Sequence, residues 1–351
     1  MIHEHGGDIY GQNILYDFSA NLNPLGMPES VRRAAVSAIE TSERYPDPYC
    51  RELVRKLAEH ERFAEDNIVC GNGADDLIYR IIRALRPRNA VIAVPTFSEY
   101  AKALSEAGCI ITEHRLSEDS GFVLGEDILE KLTDGVDLLV LCSPNNPTGR
   151  LNDAALMRRI CGMCADKGIV LLCDECFIDL TGKGLSHSAK GFIDKSVIVL
   201  KAFTKTYSMA GLRLGYALFG DTELAEKVRT CGQFWSVSAP AQAAGLAALD
   251  ETEYVEAAVR LIADEREYLS EMLRQHGFTV YPSDANFILF RCALPLDELL
   301  IGEKILIRSC ANYRGLDGSF FRIAVRTHDE NEALCQAVGK IEKQKNFVFC
   351  Q

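Results

Sequence analysis

The chain has 351 residues, more than one ordinary core holds, so two domains or one large domain with a satellite are expected. Apolar residues make up 48% and charged residues 25%, a globular profile, and the net charge of −12 argues against a nucleic-acid partner while leaving room for a phosphorylated metabolite held by local arginines. The start, Met1 to Gly7, has neither a basic end nor an apolar run, and no stretch approaches the roughly 20 apolar residues of a membrane span, so the expectation is no signal peptide, no membrane contact and a cytoplasmic chain with its 13 cysteines reduced.

The segment before Pro28 shows no helix or long strand. It should pack against the C-terminal part of the chain or reach onto a partner subunit. From about 66 to 219, short apolar runs at 67–70, 90–94, 137–142, 169–173, 196–200 and 215–219 alternate with helical spacing at 74–85, 97–107 and 152–167. Continuous apolar strands between helices predict an α/β fold, a mostly parallel central sheet covered on both faces, with ligands at the carboxyl ends of the strands. After about 254 the pattern changes to a long helix at 254–276, strands at 279–281, 286–290, 305–308 and 321–325, and helices at 296–300 and 329–342. That is a smaller α+β unit. The expected division is an N-terminal arm over 1–28, a large domain over 29–253 and a small domain over 254–351.

Four segments carry chemistry. Lys205 follows a buried strand, with Gly211, Arg213 and Gly215 close behind. A buried ammonium is costly unless its pKa is lowered or it is used covalently, and a phosphate nearby would need a fixed cation such as Arg213. Taken alone, Lys205 could equally be a lysine at a helix end. Asp174 ends the run Ile-Val-Leu-Leu-Cys-Asp; an acid there can hold a pyridine nitrogen protonated, or merely cap a helix. Ser-Pro-Asn-Asn-Pro-Thr-Gly at 143–149 is a rigid turn presenting Asn146, or only a turn. Gly-Asn-Gly-Ala-Asp at 71–75 links a strand to a helix and offers backbone N–H groups to a phosphate, or is a tight turn. Two CxxC pairs, Cys161/Cys164 and Cys173/Cys176, could suggest zinc. The first is expected at the polar end of a helix. The second lies in a strand, where i and i+3 face opposite ways, so no metal is expected.

In order and spacing these segments resemble the fold-type I pyridoxal-phosphate enzymes over nearly the whole chain. The resemblance implies pyridoxal 5′-phosphate as cofactor of the large domain, with Lys205 as the Schiff-base lysine. It implies Asp174 as partner of the pyridinium nitrogen and Asn146 as donor to the ring hydroxyl. Gly73, Ala74 and Arg213 form the phosphate cup, and Asp75 counts with the cofactor-binding residues. Tyr100, in the Pro-Thr-Phe-Ser-Glu-Tyr run, stacks on the ring and joins Lys205 and Asp174 as a catalytic residue. Tyr45, in Arg-Tyr-Pro-Asp-Pro, reaches the phosphate of the neighbouring subunit's cofactor, which implies a homodimer with shared active sites. Two positions depart from the pattern. Ala202 stands where relatives have Ser or Thr toward the phosphate, with Thr204 expected on a different side, and Phe177 replaces a tyrosine.

Within that superfamily the chain resembles the threonine-phosphate decarboxylases of cobalamin biosynthesis and, as a near neighbour, the histidinol-phosphate aminotransferases. His5-Gly-Gly, the stretch from Asp17 to Pro28, Phe177, and Arg-Ser-Cys-Ala-Asn-Tyr from Arg308 followed by Arg322 and Arg326 favour the decarboxylases. An amino-acid phosphate has two anionic ends and needs two receptors. Arg322, aided by Asn21, resembles the carboxylate receptor. Arg308, with His5, is the candidate for the phosphate, since guanidinium forks suit both anions. The resemblance implies decarboxylation of threonine phosphate or serine phosphate rather than transamination. A reading of another class is a non-catalytic ligand-binding protein on the same fold.

Overall fold

The computed structural model describes residues 5–349; the first four residues of the N-terminal reading and residues 350–351 lie outside it. Thirteen strands are described: β1 (Tyr16–Asp17), β2 (Ile68–Gly71), β3 (Asn89–Val94), β4 (Ile110–Arg115), β5 (Leu138–Cys142), β6 (Val170–Asp174), β7 (Val197–Ala202), β8 (Gly215–Phe219), β9 (Thr279–Val280), β10 (Phe287–Arg291), β11 (Ile305–Leu306), β12 (Arg308–Ser309) and β13 (Phe320–Ala324).

Seven strands form the central sheet in the order β2-β8-β7-β6-β5-β3-β4. The strands from β4 to β7 pair in parallel, and β8 runs antiparallel to both β7 and β2. The sheet is thus mostly parallel, as the alternation of apolar runs and helices predicts. The link from β7 to β8 carries only the one-turn helix Phe203–Thr206 rather than a full crossover helix, so the chain returns antiparallel. Successive strand residues enter opposite cores. Val91, Leu139, Leu171 and Val199 join one, and Ile92, Val140, Leu172 and Ile198 the other. This two-sided burial is why the strands read as unbroken apolar runs.

Strand β4 has no such run. It is an edge strand whose residues are largely exposed or half-buried, so its signal is polar. The helices Glu29–Ile39, Arg51–Glu61, Thr222–Thr230 and Ala239–Ala248 also go beyond the predicted set.

A four-stranded antiparallel sheet, β12-β13-β10-β9, packs with the helices Thr252–Gln275 and His328–Phe349 around Phe290, Phe321, Leu269, Leu334 and Val338. Phe18 is buried in that core, and β1 pairs in parallel with β11. The single strand expected at 305–308 is two short strands: β11 pairs with β1, and β12 with β13.

The cysteine reading needs two corrections. Strand β6 ends at Asp174, so Cys176 lies beyond the strand expected to carry both members of the second pair. Cys161 and Cys164 are both buried in the core rather than at a polar helix end, because their face of the helix Ala154–Lys167 packs on the sheet. Among the described residues no group of three or more His, Cys, Asp or Glu is arranged to hold a metal ion, and no helix is long and apolar enough to cross a membrane.

Candidate active site

A cavity of about 590 Å³ opens at the carboxyl ends of β5, β6 and β7, beneath Arg308 of β12 and Arg322 of β13. Its lining includes His5, Asn21, Ala74, Asp75, Tyr100, Asn146, Asp174, Lys205, Arg213, Arg308 and Arg322, drawn from both ends of the chain. Gly73 is not among the lining residues but lies against Arg213, which is.

Lys205 sits on the one-turn helix after β7, its Nζ 5.5 Å from the centre of the Phe177 ring. Burial, then the Arg322 charge, pushes its pKa down to about 8, with Arg213 adding to the shift and Cys176 and Asp174 opposing it. A neutral amine, the nucleophilic form, is therefore accessible near neutral pH.

Asp174 closes β6 and is 6% exposed. Its Oδ1 accepts the Cys176 N–H at 2.9 Å, and its Oδ2 accepts the Tyr100 hydroxyl at 2.5 Å. Burial, then the Asp174 charge, raises the Tyr100 phenol well above its ordinary range, so it remains a donor. The turn after β5 is braced by Asn145, whose Nδ2 donates to the Pro95 carbonyl at 2.9 Å and whose Oδ1 accepts from Thr96 at 2.8 Å. That bracing presents Asn146, whose Oδ1 accepts from Arg322 and, at 3.2 Å, from the Tyr313 hydroxyl.

Helix Gly73–Leu85 buries Leu77, Ile78, Ile81 and Ile82 against the sheet and points its N-terminus into the cavity. Gly73 has φ +85°, and a Cβ there would stand 2.5 Å from Nη2 of Arg213. A Cβ at Gly215 would stand 2.6 Å from the Ala74 nitrogen. Glycine at both positions lets a guanidinium close over exposed helix N–H groups, which is an anion site. Ala202 and Thr204 both line this cavity, Thr204 from the one-turn helix that begins at Phe203. Asp75 Oδ1 is buried without a hydrogen-bond partner among the described residues, and burial, then Glu99, raises its carboxyl.

Arg308 and Arg322 are register partners across the antiparallel β12–β13 pair. Both are buried, at 3% and 5% exposure. Arg322 donates to Asn146, to the Tyr313 hydroxyl at 3.2 Å and to the Ser19 carbonyl at 2.7 Å, and its Nε has no partner among the described residues. These partners are neutral, and a buried charge is costly without an opposite one beside it. Arg308 Nη2 donates to Asn312 at 2.7 Å, with its guanidinium 5.5 Å from the Tyr313 ring centre, and burial lowers its pKa. Asn21 is 2% exposed, and its Oδ1 too lacks a partner among the described residues.

Tyr45 lies outside the cavity, 78% exposed and stacked on Trp235 at 4.3 Å. Arg326 is also outside it, bonded to Glu330 at 2.9 Å. Tyr313 and Glu99 line the cavity without having been singled out as site residues. Tyr313 falls inside the Arg-Ser-Cys-Ala-Asn-Tyr run, which was its signal. Glu99 lies in the Pro-Thr-Phe-Ser-Glu-Tyr run, but its contact depends on residue 5 folding back over it.

These residues fit pyridoxal phosphate. A depressed lysine amine, a strand-end acid and a glycine-lined cradle closed by an arginine meet in one cavity.

The family description "Aminotransferase class I and II" matches residues 13–338. The threonine-phosphate decarboxylase of Salmonella typhimurium is 39% identical over 96% of this chain and 96% of its own length. An adenosylcobalamin biosynthesis bifunctional protein of Leptospira interrogans is 32% identical over 96% of this chain, which spans 41% of that protein. Among solved structures, the histidinol-phosphate aminotransferase of Clostridium acetobutylicum superposes with a TM-score of 0.88 at 30% identity, covering 94% of this chain and all of that one.

Proposed function

The chain belongs to the aminotransferase class I and II family, and we propose that within it the chain decarboxylates an O-phosphorylated amino acid with pyridoxal 5′-phosphate. The substrate is L-threonine O-3-phosphate or its homologue L-serine phosphate, and the product amine serves the nucleotide loop of a cobamide. One observation carries the reading: two buried arginines stand opposite each other on β12 and β13, over the Lys205 amine. They match a substrate with one anion at each end. The relatives named a decarboxylase and a cobalamin-biosynthesis protein support it. The second reading, histidinol-phosphate aminotransferase, is favoured by the close superposition. Histidinol phosphate has a phosphate but no carboxylate, so in that reading the second arginine would serve the carboxylates of the amino-group acceptor rather than the phosphorylated substrate.

Bound pyridoxal phosphate supplies an electron sink for the bond broken at Cα. Gly73, Ala74 and Arg213 would hold its phosphate, with Asp75 counted beside them; Asp174 would serve its ring nitrogen, Asn146 its ring hydroxyl, and Tyr100 its ring. Arg322 with Asn21 binds the substrate carboxylate, and Arg308 with His5 its phosphate. Two receptors fixed on one sheet remove the substrate's freedom to rotate, which selects the bond at Cα that is exposed to cleavage. Lys205, with its lowered pKa, delivers the proton that replaces the lost carboxylate.

A homodimer with shared sites belongs to the same proposal, with the exposed ring of Tyr45 as the group that reaches the partner's cavity. So does a cytoplasmic location, where the free thiols from Cys50 to Cys335 stay reduced.

The test is a substrate panel with mass-spectrometric identification of products. Threonine phosphate, serine phosphate and free threonine are each incubated with the holoenzyme, and histidinol phosphate is incubated with 2-oxoglutarate. The expected product is the phosphorylated amino alcohol. One methyl group separates the two phosphorylated amino acids, so a preference of about 10–200-fold is the range a pocket supplies. Robust conversion of histidinol phosphate alone would sink the reading, and turnover of none of them would favour a binding protein.

A further inference from the structure

The N-terminal arm meets the cavity through His5. Its Nε2 lies 2.9 Å from Oε1 of Glu99, and its ring centroid lies 5.6 Å from that of Phe97. Glu99 is the second residue of the helix Ser98–Glu106 and only 5% exposed. Its two oxygens have divided duties. Oε1 faces His5, while Oε2 accepts the Tyr79 hydroxyl at 2.7 Å and stands 3.6 Å from Nζ of Lys102. Tyr79 belongs to the helix Gly73–Leu85, so one carboxylate ties two helices of the central sheet to the arm.

Behind His5 the arm is seated closely. The Gly7 N–H donates to the Ser19 hydroxyl at 2.7 Å. A Cβ at Gly6 would stand 2.1 Å from the Ser19 carbonyl oxygen, so only glycine lets the backbone lie there. That same carbonyl accepts from Arg322 at 2.7 Å. The arm therefore has two anchors, Ser19 and Glu99, and the first is shared with an arginine of the cavity.

A buried carboxylate at the mouth of a cavity for a substrate with two anionic ends is an electrostatic cost unless it serves another group. Burial alone would raise the Glu99 carboxyl; the Tyr79 hydroxyl, Lys102 and His5 together hold it below its ordinary value. Two other charged groups stand beside it in the cavity, Lys102 and Asp75. Glu99 is thus an anion whose rotation Tyr79 fixes, with its other oxygen turned to an arm residue that is itself 44% exposed.

We propose that Glu99 is a positioning residue for substrate recognition: anchored by Tyr79, it holds the His5 imidazole at the cavity mouth as part of the receptor for the substrate phosphate. The proposal rests on the reading of His5 given above. Glu99 acts through His5, and its effect is to remove in advance the side-chain and arm freedom that phosphate binding would otherwise have to freeze.

The experiment compares Glu99→Gln, His5→Ala and the double variant as holoenzymes, with threonine phosphate and free threonine as substrates. Each single change is expected to raise KM for threonine phosphate roughly tenfold with kcat little altered, the signature of a lost ground-state contact. Free threonine should be indifferent. The double variant should be no worse than either single one, because both remove the same contact. Hydrogen exchange at the Gly7 amide should quicken with Glu99→Gln. Tyr79→Phe, which frees the carboxylate without removing it, should move KM in the same direction by less, and it replaces Glu99→Gln in the cycle if that variant does not fold. Multiplying effects in the double variant would overturn the proposal, as would equal losses on both substrates. If His5→Ala raises KM and Glu99→Gln does not, the His5 reading stands and the role of Glu99 falls. If His5→Ala leaves KM unchanged, the reading beneath the proposal fails, and the proposal with it.

Discussion

Arg308 and Arg322 share more than a register position. The Tyr313 hydroxyl accepts from Arg322 at 3.2 Å while its ring lies beneath Arg308, so the two guanidinium groups have a common support. Replacing either by alanine is expected to cost roughly 2–5 kcal/mol in transition-state binding, because each leaves an anion buried without its partner. The losses should differ in kind. Arg322→Ala frees the carboxylate, so half-transamination should rise relative to decarboxylation. Arg308→Ala should chiefly raise KM for the phosphorylated substrate and spare the free amino acid, which never used that contact. Steady-state kinetics on both substrates checks this; an equal penalty from Arg308→Ala would move the phosphate to another group. At this scale much of the cavity was legible. Lys205, Asp174 and Asn146 each end or follow an unbroken apolar run, and such positions meet at one end of a parallel sheet. Tyr313 and Glu99 were less so, because their roles arise from contacts with residues 167 and 94 positions away. No periodicity encodes such distances.

At the scale of elements, the end of β6 is held by a second buried acid. Glu175 accepts from the Ser188 hydroxyl and the Ala189 N–H, both at 2.6 Å, pinning the short helix Ala189–Phe192 beside the sheet. Burial pushes its pKa up from 4.5 to about 7, against the pull of those two donors. The folded state then binds more protons than the unfolded state between those two values. The contribution of Glu175 to stability is present below about 4.5 and is lost as pH rises toward 7. Glu175→Gln, neutral throughout, should lose this slope: the difference in Tm between the two proteins should change across that window. Thermal melts at several pH values decide it, and parallel curves would contradict it. Elements buried on both faces were easy to read from the chain. Strand β4 was not, because an edge strand keeps polar residues. The split of 305–308 into β11 and β12 was not either, since its cause is pairing with β1 at the other end of the sequence.

On the scale of the whole molecule, an aromatic patch stands in the open. Tyr45 stacks on Trp235, and Phe234 lies edge-on to both Trp235 and Tyr49. All four rings are at least 45% exposed. Large apolar rings grouped at a surface mark a contact face, and a second copy of the chain is the partner the shared-site proposal requires. Mixing tests it. Lys205→Ala lacks the central amine, and Tyr45→Ala lacks the reaching tyrosine. If Tyr45 serves the partner's cavity, a heterodimer of the two contains one intact site, so activity should return when the inactive and weakened proteins are exchanged together. No gain over the Tyr45→Ala protein alone would place Tyr45 outside the shared site. The dimer could be read from the sequence only through resemblance, because an exposed tyrosine has no local signature of what it touches.

The central claim, that the Lys205 cavity removes a carboxylate rather than moving an amino group, is tested most directly by following both atoms in one reaction. Threonine phosphate labelled at the carboxyl carbon and at nitrogen is incubated with the holoenzyme and 2-oxoglutarate. The account predicts one labelled carbon dioxide per substrate consumed, with the nitrogen retained in the phosphorylated amino alcohol. Labelled nitrogen in glutamate with the carboxyl carbon still attached to the product would contradict it.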